Sequence, residues 1–128
     1  MARVTQVLRS ATSSDTTAYC PDSGDLVWLN FNPQAGREQS GRRPALVLSP
    51  RAYNQISRLC VLCPVTNQGK GYPFEVHIPD GSGVTGYVLS DQIRSLSWAH
   101  REAAFIATAP DAVVLHTKAK IKALMQLP

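Results

Sequence analysis

The sequence predicts a mainly β fold, a small barrel or sandwich, with one helix at the C-terminus. Two observations carry that expectation. From Gly24 onward short apolar runs recur, separated by turn residues at intervals of about ten positions. Near the end the pattern changes to a helical repeat, with Val114, Thr117, Ile121, Leu124 and Met125 on one face. At 128 residues the chain has the length of one domain with short appendages.

Residues 1–20 are rich in Ser and Thr and poor in acids. They read as a flexible leader or an early start codon, leaving 21–128 as the domain. Pro21-Asp-Ser-Gly24 is the first turn. Strands are expected at Gly24–Asn32, Arg43–Ser49, Arg58–Val65, Tyr72–Ile78, Val84–Ser90, Asp91–Ser95 and Ala103–Ala107. Pro79-Asp-Gly-Ser-Gly83 reads as a hairpin turn whose glycines tolerate positive φ. Thr108-Ala-Pro-Asp111 matches a capping box at the start of the helix, with Pro110 suited to a first turn. Lys118 and Lys122 fall off the apolar stripe, toward the end where cations complement the helix dipole.

The loop Pro33–Arg42 is longer and more polar than a turn requires, and such loops often carry function. Both faces of the first two strands are apolar: Val27, Leu29 and Phe31 against Leu26 and Trp28, then Ala45 and Val47 against Leu46 and Leu48. A half-solvated sheet alternates with polar residues, so something must cover the second face, and a homodimer is one answer.

The formal charge of +4 favours a polyanionic partner without establishing one. Arg37, Arg42 and Arg43 concentrate it in the polar loop, and Lys118, Lys120 and Lys122 near the C-terminus. No apolar run approaches the ~20 residues of a spanning helix, and residues 1–20 lack a signal-peptide core. The expected location is the cytoplasm, with no membrane partner. Cys60-x-x-Cys63 has the spacing of redox and zinc motifs, but no second Cys or His pair accompanies it. Residues three apart on a strand point to opposite faces, so buried, reduced thiols are expected and no metal site.

Several ordered motifs run along the chain: Gly24-Asp-Leu-Val-Trp-Leu-Asn-Phe-Asn-Pro33, Gly36-Arg-Glu-Gln-Ser-Gly-Arg-Arg-Pro44, Pro64-Val-Thr-Asn-Gln68, Lys70-Gly-Tyr-Pro-Phe74 and Ser90-Asp-Gln-Ile-Arg-Ser95. In this order and spacing, over about residues 22–126, the sequence resembles the MazF/PemK toxins. The resemblance implies an SH3-like small β-barrel of the CcdB/PemK type, homodimeric, with a C-terminal helix. It also implies a toxin that acts as a metal-independent endoribonuclease, without a cofactor, cutting single-stranded RNA such as mRNA at short sequences. The implied partner is a MazE-like antitoxin whose acidic C-terminal tail lies over the RNA groove.

Metal-free cleavage of RNA uses the 2′-hydroxyl as nucleophile, leaving a 2′,3′-cyclic phosphate and a 5′-hydroxyl. It needs a base for the 2′-OH, cationic donors for the phosphorane and an acid for the leaving oxygen. Unstacked single strands allow the in-line attack. By the resemblance, Arg43 of the Gly41-Arg-Arg-Pro44 motif stabilises charge, since a guanidinium engages two phosphate oxygens and is too weak a base to take a proton. Thr66 aligns with a threonine placed against the scissile phosphate. Glu38 is either the base or the carboxylate that fixes Arg43. One branch of the family uses a carboxylate at Asp91 with a His and an Arg, whose places are taken here by Arg37 and Leu89. Asp91 is therefore read as site-lining or structural. Gln39, Gln68, Lys70, Arg37, Arg42 and Gln92 are candidate RNA contacts. His77, His100 and His116 read as unrelated surface imidazoles.

Two other readings fit the residues. A non-catalytic barrel that binds single-stranded nucleic acid would use the same basic loop, and would tolerate DNA. A gyrase-targeting toxin of the same fold is the other. Such toxins depend on an aromatic residue near the C-terminus, where this chain ends Gln126-Leu-Pro128.

Overall fold

A computed structural model describes residues 19–32 and 41–128. The expected leader, apart from Tyr19 and Cys20, lies outside the described residues, as do positions 33–40 of the polar loop. The elements run β1 (Asp25–Asn30), β2 (Arg42–Val47), α1 (Arg51–Ser57), β3 (Leu59–Thr66), β4 (Glu75–Ile78) and β5 (Gly86–Leu89). A 3-10 turn (Ser90–Gln92), β6 (Arg94–Ser97), β7 (Ala104–Thr108) and α2 (Asp111–Met125) complete the chain. The strands form one curled antiparallel sheet in the order β4-β5-β3-β2-β1-β7, and β6 pairs with the N-terminal half of β3 beside β5.

Strand alternation sorts the core into two clusters on opposite faces. Leu26, Leu46, Cys63, Val65 and Val88 face α2, which buries Val113, Thr117 and Ile121 against them. Val27, Leu29, Ala45, Val47, Cys60 and Leu62 face the other way. Burial of that second face was the reason to expect a partner chain, but the same chain covers it. Leu96 of β6, Trp98, Tyr19 and Cys20 close over these side chains as the sheet curls. Cys60 and Cys63 diverge as expected, and burial pushes both thiols up to about 12. At neutral pH both are therefore protonated, inert filler.

Four sequence expectations change. Residues 51–57 form a helix that apolar periodicity did not signal. It is held by Asn54, which is fully buried: its amide donates to Pro21 O at 2.8 Å and Ser49 O at 3.0 Å, and accepts from Ser49 Oγ at 2.6 Å. Asp91 and Gln92 lie in the 3-10 turn rather than a strand. The capping box does not form: Thr108 remains the last residue of β7, and Pro110 precedes α2 without a side-chain cap. On α2, Val113 heads the buried line through Thr117 and Ile121, with Val114 only partly buried, while Leu124 and Met125 are exposed.

Tyr19 and Cys20, assigned to the leader from sequence, are docked. The Tyr19 hydroxyl donates to Asp25 Oδ2, its ring packs 5.9 Å from Phe105, and Cys20 O accepts from Arg51 Nε at 3.1 Å. The β4–β5 hairpin forms where its glycines placed it. At its far end Gly86 has φ +122°, and a Cβ there would lie 2.2 Å from Thr66 O. Gly86→Ala is therefore expected to cost about 3 kcal/mol, read by urea unfolding, because neither the backbone angle nor the β3 carbonyl can yield cheaply. No helix among the described residues is long and apolar enough to cross a membrane.

Candidate functional site

The second core face does not end with its apolar residues. Two positions further along the same alternation stand Phe31 after Leu29, Arg43 before Ala45, Pro64 after Leu62, and Arg94 before Leu96. These four side chains, with Asn32, Gly41 and Gln92, line a cavity of about 380 Å³. The site is the open rim of a core layer, placed by register: Leu29 pairs with Arg43, and Leu62 with Arg94.

Both guanidiniums lie against one ring. Arg43 is 5.9 Å and Arg94 5.6 Å from the Phe31 centroid, within reach of a cation–π attraction. Both side chains are exposed, and among the described residues the one ion pair is Arg51 with Asp22, at 3.6 Å. Two cations therefore share a concave wall with no carboxylate from the described residues between them. Such a wall suits an anion with several oxygens.

Thr66 stands next along β3. The β2–β3 ladder ends at Ala45 and Pro64, and Thr66, two residues past Pro64, lies on the same sheet face as the cavity-lining Pro64. The Thr66 hydroxyl is half-exposed and accepts the Gln68 N–H at 3.1 Å, a turn contact that leaves its own proton available. Gln92 lines the cavity, while Asp91 is exposed on the same turn. That turn is tied down by buried Ser90, whose N–H and Oγ both bond Phe74 O. Gln68 and Lys70 are exposed on the loop after β3, which is held by the Glu75 carboxylate accepting the Lys70 and Gly71 N–H groups at 2.9 and 3.1 Å.

Arg42, expected beside Arg43, is on the opposite side of β2. Its Nη1 donates to Asn30 Oδ1 at 2.9 Å, away from the cavity. Glu38, Gln39 and Arg37 lie outside the described residues. Sequence reasoning missed Phe31 and Arg94 as site residues. The signal was present in both cases, since each continues the alternation of its strand beyond the last core residue. The three histidines are exposed, as expected, and sit on separate elements: on β4, after β6 and on α2.

A family model described as PemK-like, MazF-like toxin of type II toxin-antitoxin system matches residues 22–125. The chain is 47% identical over 108 residues to the endoribonuclease toxin MazF of Escherichia coli (strain K12), covering 84% of this chain and 96% of the relative. Among solved structures, MazF of Deinococcus radiodurans superposes with a TM-score of 0.79 at 55% identity, over 86% of this chain and 100% of the other. MazF in a MazE–MazF complex from the same organism gives 0.78 at 49% identity, over 87% and 100%. This chain belongs to the family of PemK-like, MazF-like toxins of type II toxin–antitoxin systems.

Proposed function

We propose that the protein is the toxin of a toxin–antitoxin pair and acts in the cytoplasm as a metal-independent endoribonuclease on single-stranded RNA. The observation that carries this reading is Arg43, exposed on the cavity wall without a carboxylate partner among the described residues and on the same sheet face as Thr66. The substrate 2′-oxygen attacks the adjacent phosphorus as its proton leaves to a base, for which Glu38 is the proposed group. The P–O5′ bond breaks, the 5′-oxygen takes a proton, and a 2′,3′-cyclic phosphate remains. Arg43 donates to the non-bridging oxygens as charge builds on the phosphorane, and protonates the leaving oxygen in the same position. The Thr66 hydroxyl donates to a non-bridging oxygen or orients the 2′-OH. Gln39, Arg37, Gln68, Lys70 and Gln92 contact flanking nucleotides. Arg42, tied to Asn30, serves β1–β2 pairing instead.

The proposed assembly is a homodimer, for which Trp28 of β1 leaves aromatic surface exposed. The proposed regulator is a MazE-like antitoxin with an acidic C-terminal tail. Its carboxylates would compete with phosphate for the arginine pair. The test is a long single-stranded RNA incubated with the protein in excess EDTA. Discrete cuts with cyclic-phosphate and 5′-hydroxyl ends are expected, and the matching single-stranded DNA stays whole because it lacks the nucleophile. Intact RNA, or cleavage that EDTA abolishes, defeats the proposal.

A further inference from the structure

The sheet face that carries Arg43 and Thr66 continues past them. Thr66 pairs with Tyr87 on β5, and Tyr87 pairs with His77 on β4. Directly paired residues point to the same face. Thr66, Tyr87 and His77 thus form one row over three adjacent strands, reaching about 10 Å at ordinary strand spacing. The row starts two residues past Pro64 of the cavity wall and ends on two aromatic rings.

Those rings make a defined surface. Their centroids are 5.3 Å apart at an interplanar angle of 53°. His77 is exposed and has no core to support, since Val76 and Ile78 on either side carry the burial of β4. Tyr87 is backed from one side by the Gly69 main chain: a Cβ on Gly69 would lie 2.5 Å from its ring, so any larger residue there would push the ring away. The loop that backs the ring also carries Gln68 and Lys70, and Glu75 fastens it at the Lys70 and Gly71 N–H groups. One side of the aromatic pair is clamped; the other is open.

We propose that His77 and Tyr87 form a stacking shelf for a base of the single-stranded RNA flanking the cleaved phosphate. The inference rests on the ribonuclease reading above and deepens it. Single-stranded nucleic acid is held by cationic groups along its backbone and by aromatic side chains, His included, under its bases. Here the two kinds of group stand on one sheet face. The pair also links adjacent strands, but a hairpin contact alone needs no exposed imidazole on the face that carries the arginine.

The test uses full-length protein and a single-stranded RNA with a 2′-deoxy nucleotide at the cut site, which binds without being cleaved. His77→Ala is expected to weaken its binding about tenfold. The same variant raises KM for the all-ribose RNA by a similar factor, keeps kcat within about twofold, and leaves Tm unchanged. His77→Phe keeps a stacking ring and restores both Kd and KM. An unchanged Kd in His77→Ala overturns the shelf, and so does a loss that His77→Phe fails to restore or that tracks a lowered Tm. If wild type cuts the all-ribose RNA while Kd is unchanged in His77→Ala, the shelf alone is removed. If wild type does not cut it, the ribonuclease reading fails and the shelf with it.

Discussion

Arg43→Ala is expected to lower kcat for RNA cleavage by about 10²–10³-fold, the usual loss when one donor to a developing oxyanion is removed. Stability should change by less than about 0.5 kcal/mol, because the side chain is exposed and leaves no buried partner behind. Arg43→Lys should recover only part of the rate. Lysine keeps the charge but cannot present two parallel N–H donors to neighbouring phosphate oxygens. The measurement is single-turnover cleavage of a defined oligonucleotide, with thermal unfolding run on the same samples. Activity within threefold of wild type in the alanine variant would remove Arg43 from the chemistry and shift attention to Arg94, the other guanidinium on Phe31.

The largest expected stability effect is at Asn54. Its amide ties α1 both to the Ser49 turn five residues before it and to Pro21, thirty-three residues away ahead of β1. Its own carbonyl accepts the Trp98 indole N–H at 2.9 Å, which brings the second core cluster onto the same residue. Asn54→Ala strips the donors from two carbonyls and the acceptor from the Ser49 hydroxyl, inside a site with no exposure. Each orphaned group costs about 1–3 kcal/mol, so the sum should be about 3–4 kcal/mol after relaxation. Urea unfolding should show a lower midpoint with an unchanged slope. A loss below 1 kcal/mol would mean that water replaces the amide.

The same residue shows why part of the fold was not legible in advance. Arg51–Ser57 has no apolar stripe, and Ile56, its most hydrophobic member, is almost wholly exposed. The helix is stable because one polar side chain bonds the adjoining Ser49 turn and Pro21, and because tertiary folding brings Pro21 O and the Trp98 indole to that residue. Apolar periodicity is blind to that. The capping box failed for a related reason. Thr108 pairs with Asp25 at the end of β7, so its backbone is committed to the sheet and α2 must start later.

Arg42 and Arg43 show how far the site was legible. Motif order singled out Arg43, and adjacent positions on a strand must face opposite ways. Which of the two reaches the cavity was decided by the pairing of β2 with β1, where Leu29 faces Arg43 and Asn30 faces Arg42. Phe31 and Arg94 follow the same rule: they continue rows whose inner members are core.

Most strand segments, the C-terminal helix, the divergence of Cys60 and Cys63, and the family motifs around Arg43 and Thr66 were legible in the chain itself. These are local properties, carried by side-chain alternation, turn residues and short ordered spacings. Folding in three dimensions settled that one chain covers both apolar faces, that β6 begins at Arg94 rather than Asp91, that Arg94 joins Arg43 over Phe31, that Arg42 turns away, and that Thr66, Tyr87 and His77 share a row. Those outcomes depend on the register between strands far apart in sequence, and on the curl that brings β6 over the second face. A one-residue slip in any ladder would exchange the faces, so only the closed set of pairings could settle them.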